Sequence, residues 1–184
     1  MHISEPAEYV ILGLLDSKPM HGYEMFQQFE SGTLGEIVHL EMSQMYAFLK
    51  KLERMEYIEA QLEAQGARPP RKVYHLTALG REVFRQWLTE PVERPREIRI
   101  LFLIKLYFVQ RITPNQTPHL IEQQVLACRK FLDHLEARRP GDTESGDEAF
   151  FDHVVLRSRI HQTRALLDWL YELQHEIAET HKLS

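Results

Sequence analysis

The sequence predicts a mostly α-helical protein with one small β-hairpin in its N-terminal half and a helical C-terminal half. Three observations carry this. Helical hydrophobic periods occupy the chain up to about residue 55. The period then switches to two-residue alternation on either side of a Gly/Pro turn. Helical periods return after residue 77, with a proline-rich break between residues 89 and 95.

The elements follow in order. Residues 7–15 (AEYVILGLL) form a compact apolar run that Pro19 punctuates; its length alone does not separate helix from strand. Residues 21–29 place Tyr23, Phe26 and Phe29 at a spacing of three and end in Ser31-Gly32, a helix stop. Residues 42–55 repeat Met45, Phe48, Leu49, Leu52 and Met55 at three- and four-residue steps, one buried helix face. Ser43, Gln44, Ala47, Lys50, Lys51 and Arg54 lie largely off it.

Residues 57–62 and 72–76 then alternate around Gly66-Ala67-Arg68-Pro69-Pro70-Arg71, which reads as a hairpin. Thr77 is placed to N-cap a helix running to Trp87-Leu88. Three helices, a hairpin and a fourth helix is the order of a winged helix-turn-helix, expected over residues 5–90. Thr89-Glu90-Pro91-Val92-Glu93-Arg94-Pro95 suits a linker better than a helix interior.

A helical C-terminal domain is expected over residues 96–181. Residues 98–111 are apolar almost all round. Residues 118–137 carry a seam of Ile121, Val125, Cys128, Leu132 and Leu135. A polar loop over residues 138–147 precedes a last helix, about 148–180, with a second seam of Leu166, Leu170, Leu173 and Ile177. A helix apolar on all sides plus two seams is more apolar surface than one small helical layer can hide, so a homodimer is expected.

Composition narrows the function classes. The 43% hydrophobic and 27% charged residues are ordinary for a folded globular protein and exclude a largely disordered chain. A single cysteine, Cys128, excludes an internal disulfide framework. The opening residues lack the pattern of a secretion signal, and the longest apolar stretch is too short to span a bilayer, so a cytoplasmic protein without membrane contact is expected. Residues 1–90 hold nine Lys/Arg against thirteen Asp/Glu, a net of −4 within a chain of net −5. Any binding to nucleic acid must therefore rest on a local basic strip and be sensitive to salt.

Two such places stand out. The helix over residues 42–55 has the dimensions to enter a major groove, where Ser43, Gln44 and Ala47 would face base edges, with Tyr46 and Lys50 beside the backbone. Gln44 can contact adenine bidentately, and Lys50 a guanine or a phosphate. The same residues also fit an ordinary solvated helix face. Arg68, Arg71 and Lys72 cluster within five positions around Pro69-Pro70, a stiff basic loop able to reach phosphates or a minor groove; a solubilising turn has the same composition.

Residues 9–88 resemble the PadR family of bacterial and archaeal transcriptional regulators. Tyr9-Val10-Ile11-Leu12-Gly13-Leu14-Leu15 is similar to its opening helix, and His21-Gly22-Tyr23-Glu24 to the motif that opens its second. Met45-Tyr46 followed by Leu49-Lys50-Lys51-Leu52-Glu53 is similar to its recognition helix. Arg71-Lys72-Val73-Tyr74-His75-Leu76-Thr77-Ala78-Leu79-Gly80 is similar to its second wing strand and the helix start beyond. Residues 98–181 resemble, by pattern, the helical C-terminal domain of the longer PadR subgroup.

Three departures from the family pattern occur. Ser43-Gln44 stand where it usually has Gly-Thr, Ala47 where it has Pro, and Glu56 where a Gly ends the recognition helix in a left-handed cap. The resemblance implies a homodimer built through the C-terminal helices that sets two recognition helices on a pseudo-palindromic double-stranded DNA operator. It implies DNA contacts from Tyr23, Ser43, Gln44, Tyr46, Ala47, Lys50, Arg68, Arg71 and Lys72, and a repressor released by a small effector.

Among the C-terminal aromatics, Phe102 and Trp169 are the ligand-lining candidates, and core packing is the competing reading. The run Arg157-Ser158-Arg159-Ile160-His161-Gln162-Thr163-Arg164 suits an anionic effector or a solvated face. Ten histidines show no His-Glu-x-x-His pattern, and no phosphate loop or nucleophile elbow occurs, so no catalysis, cofactor or metal is expected. The alternative function is a winged-helix protein-interaction module that does not bind DNA, which the acidic balance allows.

Overall fold

The computed structural model describes residues 2–65, 68–138 and 147–182. Residues 66 and 67 at the hairpin turn and most of the expected polar loop, residues 139–146, lie outside the described residues, as do the side chains of residues 65–69, Arg68 among them. The chain divides into two compact units, Met1–Thr89 with Leu103–Phe108, and Glu90–Phe102 with Val109–Ser184.

The first unit begins with helix α1, Pro6–Ser17. The apolar run over residues 7–15 left helix and strand open; the flanking chemistry decides for helix. Pro6 occupies the first turn, where a missing N–H costs nothing. Glu8 accepts the backbone N–H of Glu5 at 3.1 Å, closing a capping box with Glu5. Buried on most sides, α1 is the axis of this unit.

Two elements escaped the pattern. Strand β1, Met20–His21, has only two residues. Helix α3, Thr33–Ile37, is a single short turn after α2, Gly22–Ser31. The buried face of α2 is also not the one its aromatics suggest. Gly22, Met25 and Phe29 face the core, while Tyr23 points outward at 57% exposure. Helix α4, Met42–Arg54, buries Met45, Leu49 and Leu52 as its period requires.

Strands β2, Ile58–Gln65, and β3, Arg68–Leu76, pair antiparallel, with Ile58 opposite Leu76 and Glu63 opposite Arg71. Because β1 also pairs with β3, Met20 opposite Tyr74, the expected hairpin is a three-stranded sheet in the order β1-β3-β2. Helix α5, Ala78–Thr89, starts as Thr77 indicates. The Thr77 hydroxyl accepts the Gly80 N–H at 3.0 Å and donates to the Glu56 carbonyl at 2.7 Å. A Cβ on Gly80 would sit 2.0 Å from the Tyr57 carbonyl oxygen, so only glycine allows this approach.

Glu56 keeps the left-handed conformation (φ 58°) that the family usually assigns to glycine after the recognition helix. The turn between α4 and β2 thus survives the substitution, at a steric cost of about 1–2 kcal/mol.

The second unit contains helices α6, Pro95–Ile112, α7, Thr117–Glu136, and α8, Asp147–Lys182, with a 3-10 turn at Pro114–Gln116. The segment expected as a linker is pinned. Gln124, fully buried on α7, accepts the Val92 N–H and donates to the Val92 carbonyl, both at 2.8 Å. Ile98 and Phe102 of α6 and the α7 seam residues Ile121, Val125, Cys128 and Leu135 are buried; on α8, Leu167 and Leu170 are. Burial raises the Cys128 thiol pKa and so keeps the thiol protonated, while a hydrogen bond donated by Gln124 to the sulfur opposes the shift.

Residues Leu103–Phe108 of α6 group with the first unit. There the buried Lys105 lies over the Trp87 ring, 3.9 Å from its centroid, and donates to the Trp87 carbonyl. Ammonium and ring quadrupole attract, and the low dielectric strengthens both contacts. No helix among the described residues is long and apolar enough to cross a membrane.

Candidate nucleic-acid interface

One concavity of about 680 Å³ in the first unit gathers side chains far apart in sequence. Tyr23 comes from α2, Tyr46 from α4, and Arg71 and Lys72 from β3. Four of the nine residues expected to contact DNA therefore share one surface. The packing explains why: a Cβ on Gly22 would lie 2.9 Å from the Tyr46 ring, so the glycine at the start of α2 admits Tyr46 beside it.

Tyr46 remains 47% exposed, and Gln27 donates to the Tyr23 hydroxyl at 3.2 Å, leaving that hydroxyl free to donate outward. Ser43, Ala47 and Lys50 are exposed along α4. Of the adjacent lysines, only Lys50 is free to meet a partner. Lys51 is committed to the buried Glu8 carboxylate at 2.7 Å and to the Ser4 hydroxyl at 3.0 Å.

Gln44 is exposed too, yet its amide oxygen accepts the Glu41 N–H at 3.0 Å as part of a capping box. A bidentate contact to adenine uses that oxygen, so it must first leave the helix end. The Gln44 amide NH2 remains available without such a change. The side chain of Arg68 lies outside the described residues.

The surface is threaded with counter-charges. Glu53 lies 3.5 Å from Lys72, Glu63 lies 3.4 Å from His21 Nε2, and Glu24 lies 2.6 Å from Lys18. His21 Nδ1 also meets the Lys72 carbonyl at 3.1 Å, tying the end of β1 to the wing. The Tyr74 hydroxyl has its pKa raised by burial, and further by the charges of Glu53 and Tyr46, so it stays a donor at neutral pH. Sequence patterns did not single out His21, Gln27 or Tyr74 as parts of this surface. Tyr74 and His21 sit in the quoted blocks, but only the β1–β3 pairing brings them to the concavity.

In the second unit, Phe102 and Trp169 do meet, edge to face at 5.8 Å between centroids. Phe102 is fully buried and Trp169 half-buried. Among the described residues no three His, Cys, Asp or Glu side chains are grouped to hold a metal ion.

Comparison with known proteins gives the context. Residues 11–86 match the transcriptional regulator PadR-like family, and residues 98–178 match the virulence activator alpha C-terminal family. The negative transcriptional regulator PadR of Bacillus subtilis (strain 168) is 26% identical over 171 residues, 89% of this chain and 92% of that one. A probable transcriptional regulator of Mycobacterium tuberculosis is 25% identical over 185 residues, 93% of this chain and 97% of that one. Among solved structures, Bacillus subtilis PadR in complex with operator DNA is 26% identical, covers 94% of this chain and 99% of its own, and has a TM-score of 0.47. The same protein in complex with p-coumaric acid is 25% identical, with coverage of 95% and 99% and a TM-score of 0.43.

Proposed function

Because this chain belongs to the PadR-like family of transcriptional regulators, we propose that it is a cytoplasmic homodimeric repressor of a pseudo-palindromic operator, released by a small effector, with no part in catalysis. The observation that carries the DNA-binding reading is the convergence of Tyr23, Tyr46, Arg71 and Lys72 on one concave surface beside the exposed side of α4. Two hydroxyls and two cations on one surface suit contacts to a phosphate backbone. Ser43 and Ala47 then face the bases with Lys50 beside the backbone, and the Gln44 amide joins the base contacts when its cap opens. The named Bacillus subtilis relative is a negative regulator, which supports the repressor reading.

The dimer rests on the apolar surface of the C-terminal helices. Phe150, Phe151, Val154 and Val155 on α8 are exposed in the single chain, a run of apolar side chains that a second copy would cover. An effector can release DNA only by binding the DNA-incompetent state more tightly. The complex of the Bacillus subtilis relative with p-coumaric acid suggests an aromatic effector.

The acidic balance favours a second reading, a winged-helix module that binds protein. Gel shift of the chain on its own promoter region, with a salt series, separates the two. The regulator reading expects specific binding that weakens steeply with salt, with Arg71→Ala or Lys72→Ala each lowering the salt slope by about one. Binding absent at low salt, or indifferent to both substitutions, refutes it.

A further inference from the structure

The His21 ring occupies a junction that the DNA-binding reading leaves without a use. Strand β1 stops at His21, where the chain turns into α2, so no further residue of β1 runs alongside β3. The ring takes that place, and its Nδ1 meets the Lys72 carbonyl oxygen at 3.1 Å. His21 is also the N-cap residue of α2, yet its side chain makes no cap hydrogen bond. It is turned to the wing instead. There Nε2 reaches across to β2, 3.4 Å from the Glu63 carboxylate. One ring thus ties the end of β1 to both strands of the wing.

The tie falls where the wing's own pairing weakens. Glu63 stands opposite Arg71, and the register slips between Glu63 and Gln65. Side chains of directly opposed residues lie close enough to meet. Glu63 therefore has two basic side chains within reach, His21 and Arg71. It takes His21, and Arg71 makes no ion pair among the described residues.

Both partners of the ring are acceptors. A carbonyl oxygen takes a hydrogen bond only from a protonated Nδ1, and an ionised carboxylate only from a protonated Nε2. A neutral imidazole carries one proton and serves one of them; the imidazolium serves both. Histidine is the side-chain type that changes charge within the physiological range. The other titratable and charged groups around the ring are Tyr23 and Glu24 of α2, Tyr46 of α4, and Arg71, Lys72 and Tyr74 of β3. Lys18 engages Glu24 at 2.6 Å and Glu53 engages Lys72 at 3.5 Å, so Glu63 is the carboxylate that answers the ring.

We propose that His21 is a proton-dependent positioning residue of the DNA-binding surface. As imidazolium it holds Glu63, which leaves Arg71 free for a phosphate. As neutral imidazole it releases Glu63 to Arg71. Operator affinity is then high at low pH and falls as the pH rises and the ring loses its proton. This rests on the regulator reading and concerns how that binding responds to pH.

Fluorescence anisotropy of the full chain on a labelled duplex of its own promoter region, at constant ionic strength, tests this from about pH 5.5 to about pH 8.5. The parent should lose about threefold to fivefold in affinity across that range, the scale of one exposed ion pair. His21→Gln keeps a donor for the Lys72 carbonyl but takes no charge. Its profile should be flat, at the parent's high-pH affinity. Glu63 is 62% exposed, so Glu63→Gln should leave the fold intact, and its profile should be flat at the parent's low-pH affinity. The double variant should match Glu63→Gln alone. A direct contact from the ring to a phosphate gives a different pattern, in which Glu63→Gln keeps the parent's profile. Far-ultraviolet circular dichroism at both ends of the range verifies that the variants are folded. A flat parent profile overturns the proposal, as does either single variant that keeps the parent's pH dependence. Absence of operator binding by the parent and by Glu63→Gln at every pH refutes the regulator reading and this proposal with it, whereas binding with one of those profiles refutes the proposal alone.

Discussion

The Glu8–Lys51 pair fixes how α4 docks on α1, and its removal is the sharpest stability test. Glu8 is fully buried, and one of its carboxylate oxygens already accepts the N–H groups of Ser4 and Glu5 at 2.9 and 3.1 Å. Lys51 supplies the counter-charge at 2.7 Å from the other oxygen. Lys51→Met keeps the aliphatic stem and removes the charge, which leaves a carboxylate without a cation in a low-dielectric site. Losing one partner of a buried pair costs about 3–5 kcal/mol. The Lys51 side chain is 18% exposed, so water offsets part of this and the lower end, about 3 kcal/mol, is expected. Glu8→Gln keeps an oxygen for the two N–H groups and leaves a lysine that can turn to solvent, so it should cost less, about 1–2 kcal/mol. The double variant should lie well above the sum of the singles, with a coupling of about 1–3 kcal/mol. At about 2–4 °C per kcal/mol for a chain of this size, Lys51→Met should lower Tm by about 6–12 °C. Urea denaturation of the four proteins, followed by circular dichroism, measures the cycle. A Lys51→Met variant within about 0.5 kcal/mol of the parent, or additive singles, refutes the reasoning.

Three further outcomes are expected. Glu53→Gln releases Lys72 from an exposed pair worth at most about 1 kcal/mol, so operator affinity should rise by up to about fivefold in fluorescence anisotropy, with a steeper salt dependence. Glu56→Gly relieves a left-handed non-glycine residue and should stabilise the fold by about 0.5–1 kcal/mol in thermal unfolding, once glycine's greater unfolded-state entropy is subtracted. Gly80→Ala forces a methyl group into the Tyr57 carbonyl oxygen and should cost about 1–3 kcal/mol in the same measurement, with lost operator binding as the turn into α5 shifts.

Much of this was legible in the chain because the signals were local. The three-and-four spacing of Met45, Leu49 and Leu52 is a property of one helix, and so is the face it buries. Thr77 caps α5 by reaching three residues along. Other features were not legible because they depend on pairing. Two residues carry no period, so β1 became a strand only by lying against Tyr74 and Val73 of β3. Tyr23 looked like part of an apolar face with Phe26 and Phe29, yet the core took Gly22, Met25 and Phe29. The candidate site divides the same way. Residue type marked Arg71 and Lys72, but nothing in the sequence says that Lys72 shares its charge with Glu53, that Gln44 is drawn back to cap its own helix, or that Lys51 serves Glu8 while Lys50 faces outward.

By itself, then, the sequence determined the class of fold and the likeness to the PadR-like family, and it marked α4 as the candidate reading helix. Hydrophobic period, caps and turn residues act within a few positions and survive without a partner. The tertiary structure decided which of the polar groups are free. A charge is committed or available according to what lies within about 4 Å of it, and those neighbours arrive from distant elements, as Glu8 does for Lys51 from 43 residues away and Glu53 for Lys72 from 19. It likewise decided that Phe102 and Trp169 close on each other.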